Sequence, residues 1–238
     1  MADYNLEKLF DDLLKKKKFD KENSYTSSLL SNKNLLAKKI GEENYKEFIK
    51  KTNITQNPKI ELEEVGVPHK LNWNKCKLET VSYGHGITTT PLQAATAYAA
   101  MVNGGYYVKP TLKKDTLLKK KTRVIKESTS KSINSILRKV VTHKDGTARL
   151  ANIFGYEVSG KTGTSQVRRI TDKDRELDLD TSEIEYKNRD HALFVAFAPY
   201  DKPKYAISVL VEHAGSGSKA AAPLANKLIK KIIDRDKD

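Results

Sequence analysis

An α+β domain, an antiparallel sheet with a C-terminal helix laid over one face, is the fold class this sequence predicts. Three observations carry it. Ala192–Ala198 and Tyr205–Val211 are two apolar runs joined by Tyr200-Asp201-Lys202-Pro203, the pattern of a hairpin. Tyr156-Glu157-Val158-Ser159 reads as a third strand running into Gly160-Lys161-Thr162-Gly163-Thr164-Ser165. Ala221, Leu224, Ala225, Leu228, Ile229 and Ile232 then recur at helical spacing over residues 219–233. Three strands and one helix bury a sheet in two layers. With 238 residues and a hydrophobic fraction of 38%, the chain is long enough for a sizeable core.

The remaining elements follow in order. Leu6, Leu9, Phe10, Leu13 and Leu14 predict an amphipathic helix over residues 4–16, closed by the run Lys15-Lys16-Lys17-Lys18, which suits the negative end of a helix dipole. Residues 33–50 read as one or two helices, with Gly41 ending the first. From Thr52 to Lys77 the chain is rich in Asn, Pro and Lys and predicts little regular structure, with a turn at Val65-Gly66-Val67-Pro68. Thr90-Pro91 is a helix start, and the alanine-rich run Leu92–Val102 predicts a buried helix stopped by Asn103-Gly104-Gly105. Tyr106-Tyr107-Val108 reads as a short extended piece. Ile133, Ile136, Leu137, Val140 and Val141 predict a helix over 128–141, with Ser128 or Ser130 as its cap. Residues 168–190 form a charged excursion with little apolar content.

Lys and Arg outnumber Asp and Glu by 44 to 30, a formal charge of +14. Such an excess steers a chain toward polyanions without choosing among them. Most of the cations are Lys rather than Arg, the usual bidentate reader of bases, and no aromatic interleaving accompanies them. Cys76 is the single cysteine, so no internal disulfide forms and the redox compartment is left open. No apolar run reaches the length of a membrane span, and Met1-Ala2-Asp3-Tyr4 does not open a signal peptide.

Three ordered blocks resemble the C-terminal part of a class B penicillin-binding protein, the peptidoglycan D,D-transpeptidases. They are Tyr83-Gly84-His85-Gly86 with Thr89-Thr90-Pro91-Leu92-Gln93 and Asn103-Gly104-Gly105; Ser159 through Val167; and Asp190 through Pro199 with Val211-Glu212-His213-Ala214-Gly215-Ser216-Gly217. The last third is most similar to penicillin-binding protein 2, the elongation-specific branch. In penicillin-recognising serine acyl enzymes, Lys-Thr-Gly works with Ser-x-x-Lys and Ser-x-Asn. The resemblance implies an incomplete penicillin-binding transpeptidase fold. Residues 1–79 would be a mostly helical and irregular remnant of the helical subdomain, and residues 80–238 the C-terminal part of the transpeptidase domain.

It also implies roles. Lys161 adds positive charge and reaches toward the middle motif, while Thr162, Thr164 and Ser165 lie where a peptide carboxylate is received. Gly163 lets the strand approach the nucleophile helix, and the Thr164 amide is an oxyanion donor. Leu30-Ser31-Asn32 lies where Ser-x-Asn is expected, so Asn32 is retained and Leu30 replaces the serine. A leucine cannot relay a proton. Ser31-Asn32 reads equally well as a helix cap.

No Ser-x-x-Lys precedes Asn32. Two such spacings occur later, Ser128–Lys131 and Ser216–Lys219, and Ser132-Ile133-Asn134 spells the middle motif inside a predicted helix; all three read as structural. The expected ligands are a peptidoglycan stem peptide or a β-lactam, with elongation or division proteins as partners. No cofactor and no metal is implied, since His191 and His213 lack a third ligand at sensible spacing. Family members are anchored in the inner membrane and face the periplasm, whereas this chain, expressed alone without an anchor, is expected in the cytoplasm. A truncated frame, a split protein or a partial sequence all fit. Two other classes stay open: a non-catalytic remnant that binds peptidoglycan or a partner, and a nonspecific basic nucleic-acid binder.

Overall fold

The computed structural model describes residues 41–73, 77–82, 84–114, 122–167 and 185–237. The expected helix over 4–16, Asn32, and most of the charged excursion lie outside these residues. Contacts divide the chain into two units, one through Ser130 and one from Lys131 onward.

The first unit holds helices α1 (Glu42–Thr52), α2 (Lys77–Val81) and α3 (Pro91–Val102), then a two-residue antiparallel pair of β1 (Tyr106–Tyr107) with β2 (Thr122–Arg123). Acidic Glu42 and Glu43 open α1 and basic Lys50 and Lys51 close it, in the sense its dipole favours. Asn53 caps it in the left-handed region, φ 54°. Tyr45 Oη donates to Val81 O at 2.9 Å, and burial pushes its phenol up to about 12. The Thr90-Pro91 start is borne out as a capping box. Thr90 Oγ1 accepts from Gln93 N at 3.2 Å, and Gln93 Oε1 accepts from Thr90 N at 3.0 Å.

Asn103 closes α3 and its side chain brackets Tyr106, accepting from Tyr106 N at 2.9 Å and donating to Tyr106 O at 2.8 Å. Gly105 is required on two counts: its φ is +92°, and an added Cβ would lie 2.1 Å from Ile125 O. Residues 64–70 are irregular and form no hydrogen-bonded turn at Val65–Pro68. Helix α4 (Glu127–Thr142) begins in this unit. Ser130 is not its cap: the Ser130 hydroxyl accepts from Gly104 N at 3.0 Å, satisfying the glycine turn instead.

The second unit contains the sheet. Strands β3 (Ser159–Ser165), β4 (His191–Ala198) and β5 (Tyr205–Val211) lie in the order β3-β4-β5, all antiparallel. Helix α5 (Ala222–Arg235), entered through one π-helical turn at Gly217–Ala221, packs on one face. The core joins Ala192, Phe194, Ala196 and Val209 of the sheet to Ala221, Ala222, Ala225 and Ile229. Alanines on the facing side of α5 allow close approach, and Phe194 and Ile229, both fully buried, each contribute roughly 1.5–3 kcal/mol. The helix is tied down by Tyr156, whose Oη donates to Asp234 and accepts from Lys230 Nζ at 3.0 Å. The predicted α+β arrangement is thus observed. Among the described residues, no helix is long and apolar enough to cross a membrane.

Candidate functional site

The site is built on β3, an edge strand of the described sheet. Strand alternation sends successive side chains to opposite faces. Register pairs Gly160 with Ala196, Thr162 with Phe194 and Thr164 with Ala192, which are the residues that meet α5. Lys161, Gly163 and Ser165 pair with Val195, Leu193 and His191 and share the other face. Lys161 and the two threonines therefore leave the strand on opposite faces.

Lys161 is exposed along much of its side chain, yet its ammonium is surrounded by enough protein that desolvation lowers its pKa. Its Nζ folds back to donate to Thr162 O at 2.8 Å and Thr162 Oγ1 at 3.3 Å. The Thr162 hydroxyl is also 3.0 Å from Thr147 Oγ1, in the loop after α4. Sequence reasoning missed Thr147. Its available signal was Gly146, where a Cβ would lie 2.3 Å from Val140 O and which therefore folds the loop tightly against the helix end. Thr164 and Ser165 are exposed. On the Lys161 face, the Ser159 and Ser208 hydroxyls are buried without a hydrogen-bond partner among the described residues.

Glycines set the backbone approach. A Cβ on Gly160 would lie 2.3 Å from Val195 O and 2.7 Å from the tip of the Phe194 ring. On Gly163 it would meet only the Leu193 side chain, at 3.3 Å. On Gly217 it would lie 2.4 Å from Leu193 O and 2.5 Å from Gly163 O. The turn that opens α5 thus rests directly on the backbone of the motif glycine.

The end of the strand is held by a small polar cluster. His213 N donates to His191 Nδ1 at 3.0 Å, so the ring hydrogen of His191 lies on Nε2. His213 Nδ1 is 3.2 Å from Arg189 O and, since a carbonyl only accepts, carries its own hydrogen. The two rings pack edge to face at 4.7 Å, bringing together histidines that flank two different strands. Asp190 O accepts from Gly215 N at 2.8 Å. Asp190 Oδ1 accepts from Val167 N at 3.3 Å, just past the end of β3.

The two Ser-x-x-Lys spellings fall elsewhere. Ser128–Lys131 opens α4, and Ser216 Oγ is bonded to Ser218 Oγ at 2.7 Å within the turn before α5. Asn134 of the Ser132-Ile133-Asn134 triplet is buried inside α4. His85 is exposed in the first unit. Asn32 lies outside the described residues.

An edge strand carrying Lys-Thr-Gly, a hairpin behind it and a terminal helix across the back define the class of penicillin-recognising acyl-transfer folds. Residues 17–230 match the family described as penicillin binding protein transpeptidase domain, and the chain belongs to that family. It is 34% identical over 174 residues to the peptidoglycan D,D-transpeptidase MrdA of Haemophilus influenzae, covering 68% of this chain and 26% of MrdA. It is 31% identical over 216 residues to stage V sporulation protein D of Bacillus subtilis, covering 82% of this chain and 31% of that protein. The crystal structure of a peptidoglycan glycosyltransferase from Burkholderia ambifaria shares the fold, with a TM-score of 0.71 at 23% identity, over 86% of this chain and 60% of that one. The chain spans about a quarter to a third of the curated relatives' length.

Proposed function

We infer that this chain supplies the peptide-holding part of a peptidoglycan D,D-transpeptidase and, by itself, forms no acyl-enzyme. The observation that carries the reading is Lys161-Thr162-Gly163 on an edge strand, with a partly desolvated ammonium and its first hydroxyl fixed by Thr147. The name of the MrdA relative supports the reaction class.

In this reading the terminal carboxylate of a stem peptide, or that of a β-lactam, is received by the Thr162 and Thr164 hydroxyls beside the Lys161 charge. Ser165 extends the same rim. The Thr164 amide donates to the oxyanion that forms when a serine attacks the penultimate D-Ala carbonyl. Attack needs a serine with a lysine one helical turn on to take its proton. This reading assigns that role to neither Ser-x-x-Lys of this sequence, one at the start of α4 and the other in the turn before α5. Elongation or division proteins are the partners this reading expects.

A fluorescent penicillin followed by a denaturing gel tests the covalent part. The expected result is no labelled band; a band at 26.8 kDa would reject it. A retained clamp is tested separately by saturation with a peptide ending in D-Ala-D-Ala, weakened by Lys161→Met. Binding of DNA alone, falling steeply with salt, would instead mark nonspecific attraction.

A further inference from the structure

The first unit carries a second concave surface that the transpeptidase reading does not use. A groove of about 980 Å³ runs between α1, α3 and the irregular segment 57–73, with Tyr107, Lys109 and Pro110 closing one end. That volume is at the top of the ~300–1,000 Å³ range of ligand clefts. Its floor is apolar, with Ile49, Leu71, Leu92 and the Trp73 ring. Lys46, Lys50, Lys59, Lys70 and Lys109 line it, and among the described residues no carboxylate does.

Chain composition alone does not produce this separation. Helix α1 alternates both signs, but Lys46, Ile49, Lys50 and Asn53 share the three-and-four face that lines the groove, while Glu42, Glu43 and Glu47 do not line it. Glu42 and Glu43 hold the Lys46 ammonium at 2.6 and 3.1 Å, and this fixes it 5.3 Å from the centre of the Trp73 ring. The cation and the aromatic ring are therefore placed before anything binds.

We propose that this groove docks an extended acidic peptide segment of a partner protein. Its carboxylates meet the lysines and an apolar side chain seats against Trp73. The chemistry favours a peptide over nucleic acid: single strands are held by successive aromatic platforms and arginines, and no arginine among the described residues lines the groove.

Trp73 is the protein's only tryptophan, so its fluorescence reports on this groove alone. The intact chain is titrated with the acetylated octapeptide Glu-Glu-Leu-Glu-Glu-Leu-Glu-Glu and with its glutamine counterpart. The acidic peptide should give a saturable Trp73 change that the glutamine peptide does not. The double variant Lys50→Glu, Lys70→Glu should weaken binding at least about tenfold, and the milder Lys50→Gln, Lys70→Gln should weaken it less, with melting unchanged. Lys202→Glu with Lys204→Glu, on the hairpin of the other unit, should leave binding intact. The proposal is overturned by equal response to both peptides or by equal loss from the remote pair. A short DNA duplex that shifts Trp73 where the acidic peptide does not would also overturn it. None of these readouts involves penicillin, so they stand apart from the transpeptidase reading.

Discussion

Replacing Gly217 by alanine should damage this fold far more than replacing the motif glycine itself. The new Cβ would sit 2.4 Å from Leu193 O and 2.5 Å from Gly163 O, against a closest real approach near 3.0 Å, so something must move by at least 0.6 Å. What must move is backbone on two paired strands, fixed by the register of Gly163 with Leu193, and not the end of a flexible side chain. Overpacking of this kind costs about 1–3 kcal/mol, and a buried site walled by main chain belongs near the upper figure. At about 2–4 °C per kcal/mol for a chain of this size, melting should fall by roughly 6–12 °C. Gly163→Ala meets only the Leu193 side chain at 3.3 Å, which can rotate away, so its cost should stay at or below about 1 kcal/mol. Differential scanning calorimetry of the two variants beside the parent checks the contrast. A Gly217→Ala protein that melts within a degree of the parent would refute the reasoning, as would a Gly163→Ala loss equal to or larger than its own.

Thr90→Ala removes one half of the capping box on α3 and should cost about 1 kcal/mol in urea unfolding, while Thr90→Ser should recover most of it. Glu61 accepts from Leu112 N at 2.9 Å and Thr111 Oγ1 at 2.8 Å, and these bonds pull its carboxyl down to about 2. A carboxylate with a depressed folded pKa adds stability that is fully present above the unfolded value of about 4.5 and is lost as pH falls from there toward 2. Carbon NMR should therefore find a Glu61 titration midpoint near 2, and Glu61→Gln should lower stability above about pH 4.5 and flatten the fall within that window.

The elements that fill the core were legible because periodicity reports burial. Ala192–Ala198, Tyr205–Val211 and the Ala221–Ile232 stripe each carry a repeat long enough to read, and the structure joins them as one core. The β1–β2 pair was not legible, since two residues per strand leave no period and Thr122–Arg123 is polar and exposed. Ser130 was misread because a serine at a helix start resembles a cap, whereas its partner, Gly104, lies 26 residues away and is brought close only by folding. The stretch 214–218, Ala-Gly-Ser-Gly-Ser, has no period to read. What makes Gly217 necessary is backbone from two other strands, which composition does not encode. Lys161, Thr162, Gly163, Thr164 and Ser165 were found from spelling, but their division between two faces needed the register.

That division limits how the segment can evolve. All seven positions of β3 are matched one to one with β4, so a deletion or insertion of a single codon within the run would slip the strand by one step and exchange its two sides. The ammonium would turn to the helix and a hydroxyl would take its place, with nearly the same composition. Substitutions can therefore be sampled one by one here, while changes of length are closed off.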